Sequence, residues 1–146
     1  MKPFAVAAAL GFATSAFSQA TYTALYDNLY DHADQSLNSV ACSTGKYGLL
    51  TRGYNTFGDL PNFPFIGGAP VIEGWNSVNC GSCWEITYVN AEGVIGNIPF
   101  TAINTARQGT LTLSLEALNA LTQSQAQRLN EVSVTVAAVS GSPCVP

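Results

Sequence analysis

The sequence is poor in charge. Only 10% of its 146 residues are Asp, Glu, Lys or Arg, against roughly a quarter in an ordinary soluble domain. Lysine and arginine together number five, against nine acids, for a formal net charge of -4. Lys2 falls in the leader described below, leaving Lys46, Arg52, Arg107 and Arg128. Four scattered cations cannot build the basic stripe that neutralises phosphates, which excludes nucleic acid and an anionic membrane surface as partners. The single histidine, His32, would have to serve any Ser-His-Asp triad, and no nucleophile elbow accompanies a serine. It also leaves zinc without a ligand set, since Cys80-Gly81-Ser82-Cys83 has no second Cys-x-x-Cys to pair with. Phosphate-cradling glycine loops and Asn-x-Ser/Thr sequons are both missing. With so little charge, the surface must be covered by Ser, Thr, Asn, Gln and Gly. Such a surface suits neutral polar ligands, carbohydrate above all.

The N-terminus carries the pattern of a secretory signal over residues 1-20. Lys2 gives a positive start, an apolar run follows from Phe4 to Phe17, and small residues stand at Ala16, Ser18 and Ala20. Cleavage after Ser18 or after Ala20 fits, the run is too short to span a bilayer, and residues 21-146 form one expected domain. The mature protein is expected to be small, soluble and extracellular. All four cysteines (Cys42, Cys80, Cys83 and Cys144) follow the leader. An even count in a small exported chain predicts two disulfides. A Cys80–Cys83 ring would be strained, and the remaining connectivities put Cys80 and Cys83 on opposite partners. Each such bridge stabilises by roughly 3–4 kcal/mol, and the one to Cys144 would tie down the C-terminus.

The mature chain reads mainly as strands. A first strand is expected over Thr21–Leu25, and Tyr26–Asn38 reads as an ordered loop. Seven glycines between Gly45 and Gly74, with Pro61, Pro64 and Pro70, exclude long helices there. Trp84, Ile86 and Tyr88 alternate with Glu85, Thr87 and Val89; a turn at Asn90–Gly93 and a return over Val94–Ile98 complete a hairpin. Phe100–Ile103 reads as a further strand. Leu115, Leu118 and Leu121 fall at helical spacing behind Ser114 as N-cap. Ser124 and Gln127 read as a capping box for a second short helix ending near Asn130. Val132, Val134, Val136 and Ala138 form a closing strand with one buried face. The sum is a compact β-barrel with a small helical cap.

Chemistry-bearing constellations are few. Glycosidases need a carboxyl pair with one member raised in pKa, and the spacing of the nine acids marks none. Asp27, Asp31 and Asp34 read as a solvated face. Aromatic residues are spread through the chain and offer faces on which sugar rings stack. Trp84, at the head of an alternating strand, reads as core; Trp75 sits in the turn-like Gly74-Trp75-Asn76-Ser77 and is left open.

Three stretches together resemble the cerato-platanin family, small secreted proteins of filamentous fungi. They are Tyr26-Asp27-Asn28-Leu29-Tyr30 with Ser36-Leu37-Asn38-Ser39-Val40-Ala41-Cys42-Ser43, then Phe63-Pro64-Phe65-Ile66-Gly67-Gly68, then Gly74-Trp75-Asn76-Ser77-Val78-Asn79-Cys80-Gly81-Ser82-Cys83-Trp84. The resemblance implies a mainly β, single-domain double-psi β-barrel with short helices, similar to the first domain of expansins. It implies disulfides Cys42–Cys80 and Cys83–Cys144; independently of it, no cofactor and no metal are expected. It also implies a non-catalytic protein, outside the cell or at the fungal wall, that binds chitin (N-acetylglucosamine) oligomers, self-associates, loosens polysaccharide networks in the manner of expansins, and acts on a plant host as elicitor or virulence effector, with a plant receptor as a further partner.

One position departs from the family. Where members commonly keep an aspartate at a strand end, this chain has Ile103-Asn104-Thr105. An amide cannot act as general acid or nucleophile at neutral pH, yet it can hydrogen-bond sugar hydroxyls. The rival reading makes Asn104 a strand-end residue that caps backbone groups. Tyr26, Asp27, Tyr30, Asn76, Ser77 and Asn104 are the expected lining of a shallow chitin-oligomer groove. The alternatives are a self-assembling surface-active protein recognised by the host, or a weak β-glucan hydrolase.

Overall fold

Alternating apolar side chains need a second surface to cover them, and here the sheet supplies it by closing on itself. The computed structural model describes residues 19–139 and Cys144. Residues 1–18 of the leader expected over 1–20 lie outside the described residues, and so does most of the segment after 139. Six strands form the barrel: β1 (Ala20–Tyr26), β2 (Ile66–Gly68), β3 (Cys83–Val89), β4 (Ile95–Asn104), β5 (Thr110–Leu113) and β6 (Val132–Ala138). Their order around the closed barrel is β1-β5-β2-β4-β3-β6. The β1/β5 and β2/β4 ladders are parallel and the other four antiparallel. This is the barrel that the resemblance implied.

The alternations read from sequence map onto the barrel interior. Val132, Val134 and Val136 of β6 are buried, as are Ile86 of β3 and Ile98 and Phe100 of β4. Trp84 faces Phe100, and Ile86 faces Ile98 across the β3/β4 ladder. Two expectations are corrected. Val94–Ile98 and Phe100–Ile103 are not separate strands: Ile95–Ile98 and Phe100–Ile103 both belong to the ten-residue β4, which starts after Val94. Pro99 is tolerated inside it because the β2 ladder begins only at Thr101, so one side of the strand is still unpaired there. β5, Thr-Leu-Thr-Leu, went unassigned in the sequence because its identity comes from pairing with β1 and β2. Gly67 of β2 crosses so close to β5 that a Cβ there would collide with the Thr112 carbonyl oxygen; only glycine fits.

Helix α1 (Leu115–Thr122) follows β5 directly and buries Ala117, Leu118 and Leu121. Its first three N–H groups all have side-chain acceptors. Leu115 and Glu116 donate to the Asp31 carboxylate at 2.8 and 3.0 Å, and Ala117 donates to Ser114 Oγ at 3.0 Å. Asp31 is therefore not simply a solvated acid: it cancels the positive helix end across 84 residues of sequence. Helix α2 (Ala126–Leu129) lacks the expected Ser124/Gln127 box. Thr122 Oγ1 and Asn119 Oδ1 accept instead from the N–H groups of Gln125 and Ala126. The loop read over Tyr26–Asn38 contains two 3-10 turns, Asn28–Asp31 and Leu37–Ser39.

Candidate carbohydrate-binding site

The six residues expected to line a groove fall into two groups. Tyr26 closes β1, and Asp27 caps the following 3-10 turn, its Oδ1 accepting from Leu29 N–H at 2.8 Å. That turn carries the Tyr30 ring inward, where it is 4% exposed and stacks on Phe57 with centroids 5.9 Å apart. Tyr30 thus offers a ligand no ring face. Its hydroxyl accepts from Asn104 Nδ2 at 3.0 Å. Burial pushes the Tyr30 phenol above its ordinary value of 10.0; the Asn104 hydrogen bond pulls it down, and the charge of Asp27 pushes it up again.

Asn104 joins three segments. Its Oδ1 accepts from Ala41 N–H at 3.0 Å and from Thr105 N–H at 2.9 Å, while its Nδ2 holds Tyr30. The amide is half-buried and committed to the protein on both its oxygen and its nitrogen. Such bonding is what the strand-end capping reading requires.

Asn76 and Ser77 stand apart from this group, on the turn between residues 74 and 80. Asn76 has φ 61°, a left-handed conformation that asparagine tolerates. Its Oδ1 accepts from Tyr47 N–H at 2.9 Å, locking the 74–80 turn to the 42–48 loop. Gly45, with φ 89°, makes the approach possible: a Cβ would lie 2.6 Å from Asn76 Oδ1 and 3.0 Å from the Trp75 ring. Ser77 Oγ accepts from Asn79 N–H at 3.2 Å within the turn. Disulfide Cys42–Cys80 ties the same two loops together, and Ala41, held by Asn104, is the residue before Cys42. The second bridge is Cys83–Cys144. The pairing that the resemblance implied is therefore present.

Trp75 was left open by the sequence and is the most conspicuous side chain of this region. It is 63% exposed, and its Nε1–H donates to Thr44 Oγ1 at 3.0 Å. Val78, on the same turn, is 67% exposed. A pinned, solvent-facing indole is a ready stacking surface for an apolar ring face. The Gly-Trp-Asn-Ser turn was the available signal, since a bulky aromatic in a turn has no strand face to hide on. Trp84 by contrast is half-buried, its Nε1–H donating to Ser82 Oγ at 2.8 Å.

Three of the carboxylates are occupied as caps. Asp27 and Asp31 hold backbone N–H groups as described. Asp59 accepts from Asn55 and Thr56 N–H at 2.9 and 3.0 Å, and these bonds hold it below its ordinary value. A general acid requires the opposite shift. Among the described residues, no three His, Cys, Asp or Glu side chains converge as metal ligands.

The family model described as Cerato-platanin matches residues 22–145. The chain belongs to the cerato-platanin family. A heat-stable 19 kDa antigen of Coccidioides immitis is 40% identical over 132 residues, 90% of this chain and 86% of the relative. The cerato-platanin of Ceratocystis fimbriata f. sp. platani is 48% identical over 69 residues, 47% of this chain and 50% of that protein. An allergen of Aspergillus fumigatus is 41% identical over 119 residues, 82% of this chain and 74% of the allergen. The crystal structure of cerato-platanin 1 from M. perniciosa superposes with a TM-score of 0.80 at 44% identity, covering 86% of this chain and 99% of that one. The cerato-platanin barrel and its two disulfides are thus established for this chain.

Proposed function

We propose that this cerato-platanin is an exported, non-catalytic protein that binds chitin oligomers, acts at the fungal wall and is met by a plant host as an elicitor. The observation that carries the binding reading is Trp75: a rigid, exposed indole, pinned through Nε1 to Thr44 and flanked by the polar Asn76 and Ser77 on a disulfide-tied turn. A sugar ring stacks on the indole face while its hydroxyl and acetamido groups meet the neutral polar side chains beside it. Tyr30 and Asn104 belong to the frame, linked to the turn through Ala41 and the Cys42–Cys80 bridge, and Tyr26 and Asp27 stand with them, apart from the turn. A shallow neutral site of this kind binds weakly, with a Kd on the order of 0.1–1 mM, and with little salt dependence because no ion pair forms with the ligand. The non-catalytic reading is supported by an amide at 104 and by Asp27, Asp31 and Asp59 being engaged as caps of backbone N–H groups. Export is supported by the signal-like leader, by two disulfides, and by relatives named as an antigen and an allergen.

The test is a titration with chitotetraose followed by amide chemical shifts. Residues 74–79 should respond, and Trp75→Ala should weaken binding about three- to ten-fold, the loss of one stacking contact, at an unchanged Tm. Absence of any response up to about 10 mM tetramer would end the reading, since even weak sugar sites saturate there. A second reading has its own observation: Trp75 and Val78 together expose apolar surface on one turn, which favours adsorption and self-association at an interface. Surface tension and chitotetraose titration of Val78→Ser separate the two, because adsorption depends on both side chains and sugar stacking on Trp75 alone.

A further inference from the structure

At the far end of β4 from Asn104, a second hollow opens between the β3–β4 hairpin and the α1–α2 corner. Ten residues of strand separate the two regions, roughly 30 Å of extended chain. The hollow has a volume of about 520 Å³, within the range of small-ligand sites. Tyr88, Asn90 and Glu92 line it from the hairpin, and Gln123, Gln125 and Arg128 from the helical corner. One acid and one base cancel, so the lining is suited to a neutral ligand. Three amides supply paired donors and acceptors, the pattern that hydroxyl and acetamido groups match, and Tyr88 supplies a ring.

Part of the lining is held before any ligand arrives. Asn90 Oδ1 accepts from Glu92 and Val94 N–H at 3.0 and 2.8 Å, which shapes the hairpin and leaves the Nδ2 donor unengaged by those bonds. Arg128 Nε donates to Gln125 Oε1 at 2.6 Å, leaving the Gln125 Nε2 donor unengaged by that bond. The corner is also strained. Gln123, the C-cap of α1, has φ 56°, and Ser124 has φ 66°. Glycine is the relaxed residue in that conformation, so the Gln123 side chain stands on the hollow's lip against the local backbone preference. Strain of this kind gathers at binding sites.

We propose that this hollow is a second glycan subsite that takes one end of a neutral oligosaccharide. It rests on the proposed function for the ligand class alone. With sites at both ends of β4, one molecule would bridge two polysaccharide strands, gaining avidity without added contacts.

The experiment titrates the oxidised protein separately with chitotetraose and cellotetraose, reading amide shifts and Tm on wild type, Gln123→Gly and Trp75→Ala. A second set of shifts at Asn90, Glu92 and Gln125 is expected, with its own Kd. Gln123→Gly should raise Tm by a few degrees through relief of the backbone. It should weaken the second set about three- to ten-fold, the loss of a hydrogen bond, and leave residues 74–79 titrating as before. Trp75→Ala should weaken the response of residues 74–79 and leave both Tm and the second set unchanged. Silence of the second set towards both tetramers up to about 20 mM, where sites of this class are filled, overturns the subsite. So does a Gln123→Gly protein with a higher Tm and an unchanged second Kd. A response of residues 74–79 alone leaves the proposed function standing and removes this inference. A response of the hollow alone keeps the subsite and removes Trp75 from the binding site.

Discussion

Replacing Asn104 with alanine discriminates a framework amide from a ligand-binding one. The substitution removes the acceptor of Ala41 N–H and of Thr105 N–H and the donor to Tyr30 Oη. Thr105 is exposed, so water can replace that bond at little cost. Ala41 is half-buried and Tyr30 buried, so their groups lose partners where water substitutes poorly. At about 1–1.5 kcal/mol for each of these two, the loss is about 2–3 kcal/mol. For a domain of this size that lowers Tm by roughly 8–12 °C. Asn104→Asp should behave differently. Its carboxylate still accepts from both N–H groups, and the Tyr30 hydroxyl turns to donate to it, so stability at pH 7 should stay within about 1 kcal/mol of wild type. Three donors depress that carboxyl below the unfolded value of about 3.9. Its contribution is then present above that value and is lost as pH falls through the folded one, so the variant should melt progressively earlier than wild type below about pH 4. Calorimetric melts between pH 2 and 7, paired with a chitotetraose titration at pH 7, report both quantities. An Asn104→Ala protein that melts within about 2 °C of wild type yet binds several-fold more weakly refutes the assignment, because an internal framework loss must register in Tm.

Other expectations follow from single features. Cys42→Ala/Cys80→Ala opens a loop with a sequence separation of 38, which should cost roughly 4 kcal/mol on the loop-entropy relation; denaturant melts of the oxidised variant measure it, and thiol titration of the unfolded wild type should find none, as every described cysteine is bridged. Asp59 is held low by the Asn55 and Thr56 N–H groups, so its stabilisation is present above about pH 3.9 and lost as pH falls through the folded value; Asp59→Asn should therefore show a flatter acid limb in Tm against pH than wild type. Purified protein should release no reducing sugar from chitin, cellulose or glucan, and activity surviving purification from a host free of glycosidases would disprove the non-catalytic reading. Because Ala20 already pairs with Val136 in the β1/β6 ladder, cleavage after Ser18 keeps β1 whole, and intact mass should place the mature N-terminus at Gln19.

The tripartite motif around Cys42, Phe63–Gly68 and Gly74–Trp84 was enough to identify the family, because those stretches are contiguous in the chain. Local periodicity was enough for β1, β3, β6 and α1: an alternating or helical apolar pattern is a property of a few neighbouring residues, and Ser114 announced its cap within three positions. Local pattern could not find β2 or β5, which have three and four residues and are strands only because β1 and β4 lie beside them. Nor could it assign the acids and amides. Asp31 meets the start of α1 across 84 residues, Asn104 meets Tyr30 across 74, and Asn76 meets Tyr47 across 29. A carboxylate that caps a helix and one that faces water have the same sequence; only barrel closure, by setting which N–H groups lie within 3 Å, separates them. The same holds for the two tryptophans. Trp84 is half-covered because β3 lies between β4 and β6, whereas the disulfide-tied turn holds Trp75 in solvent.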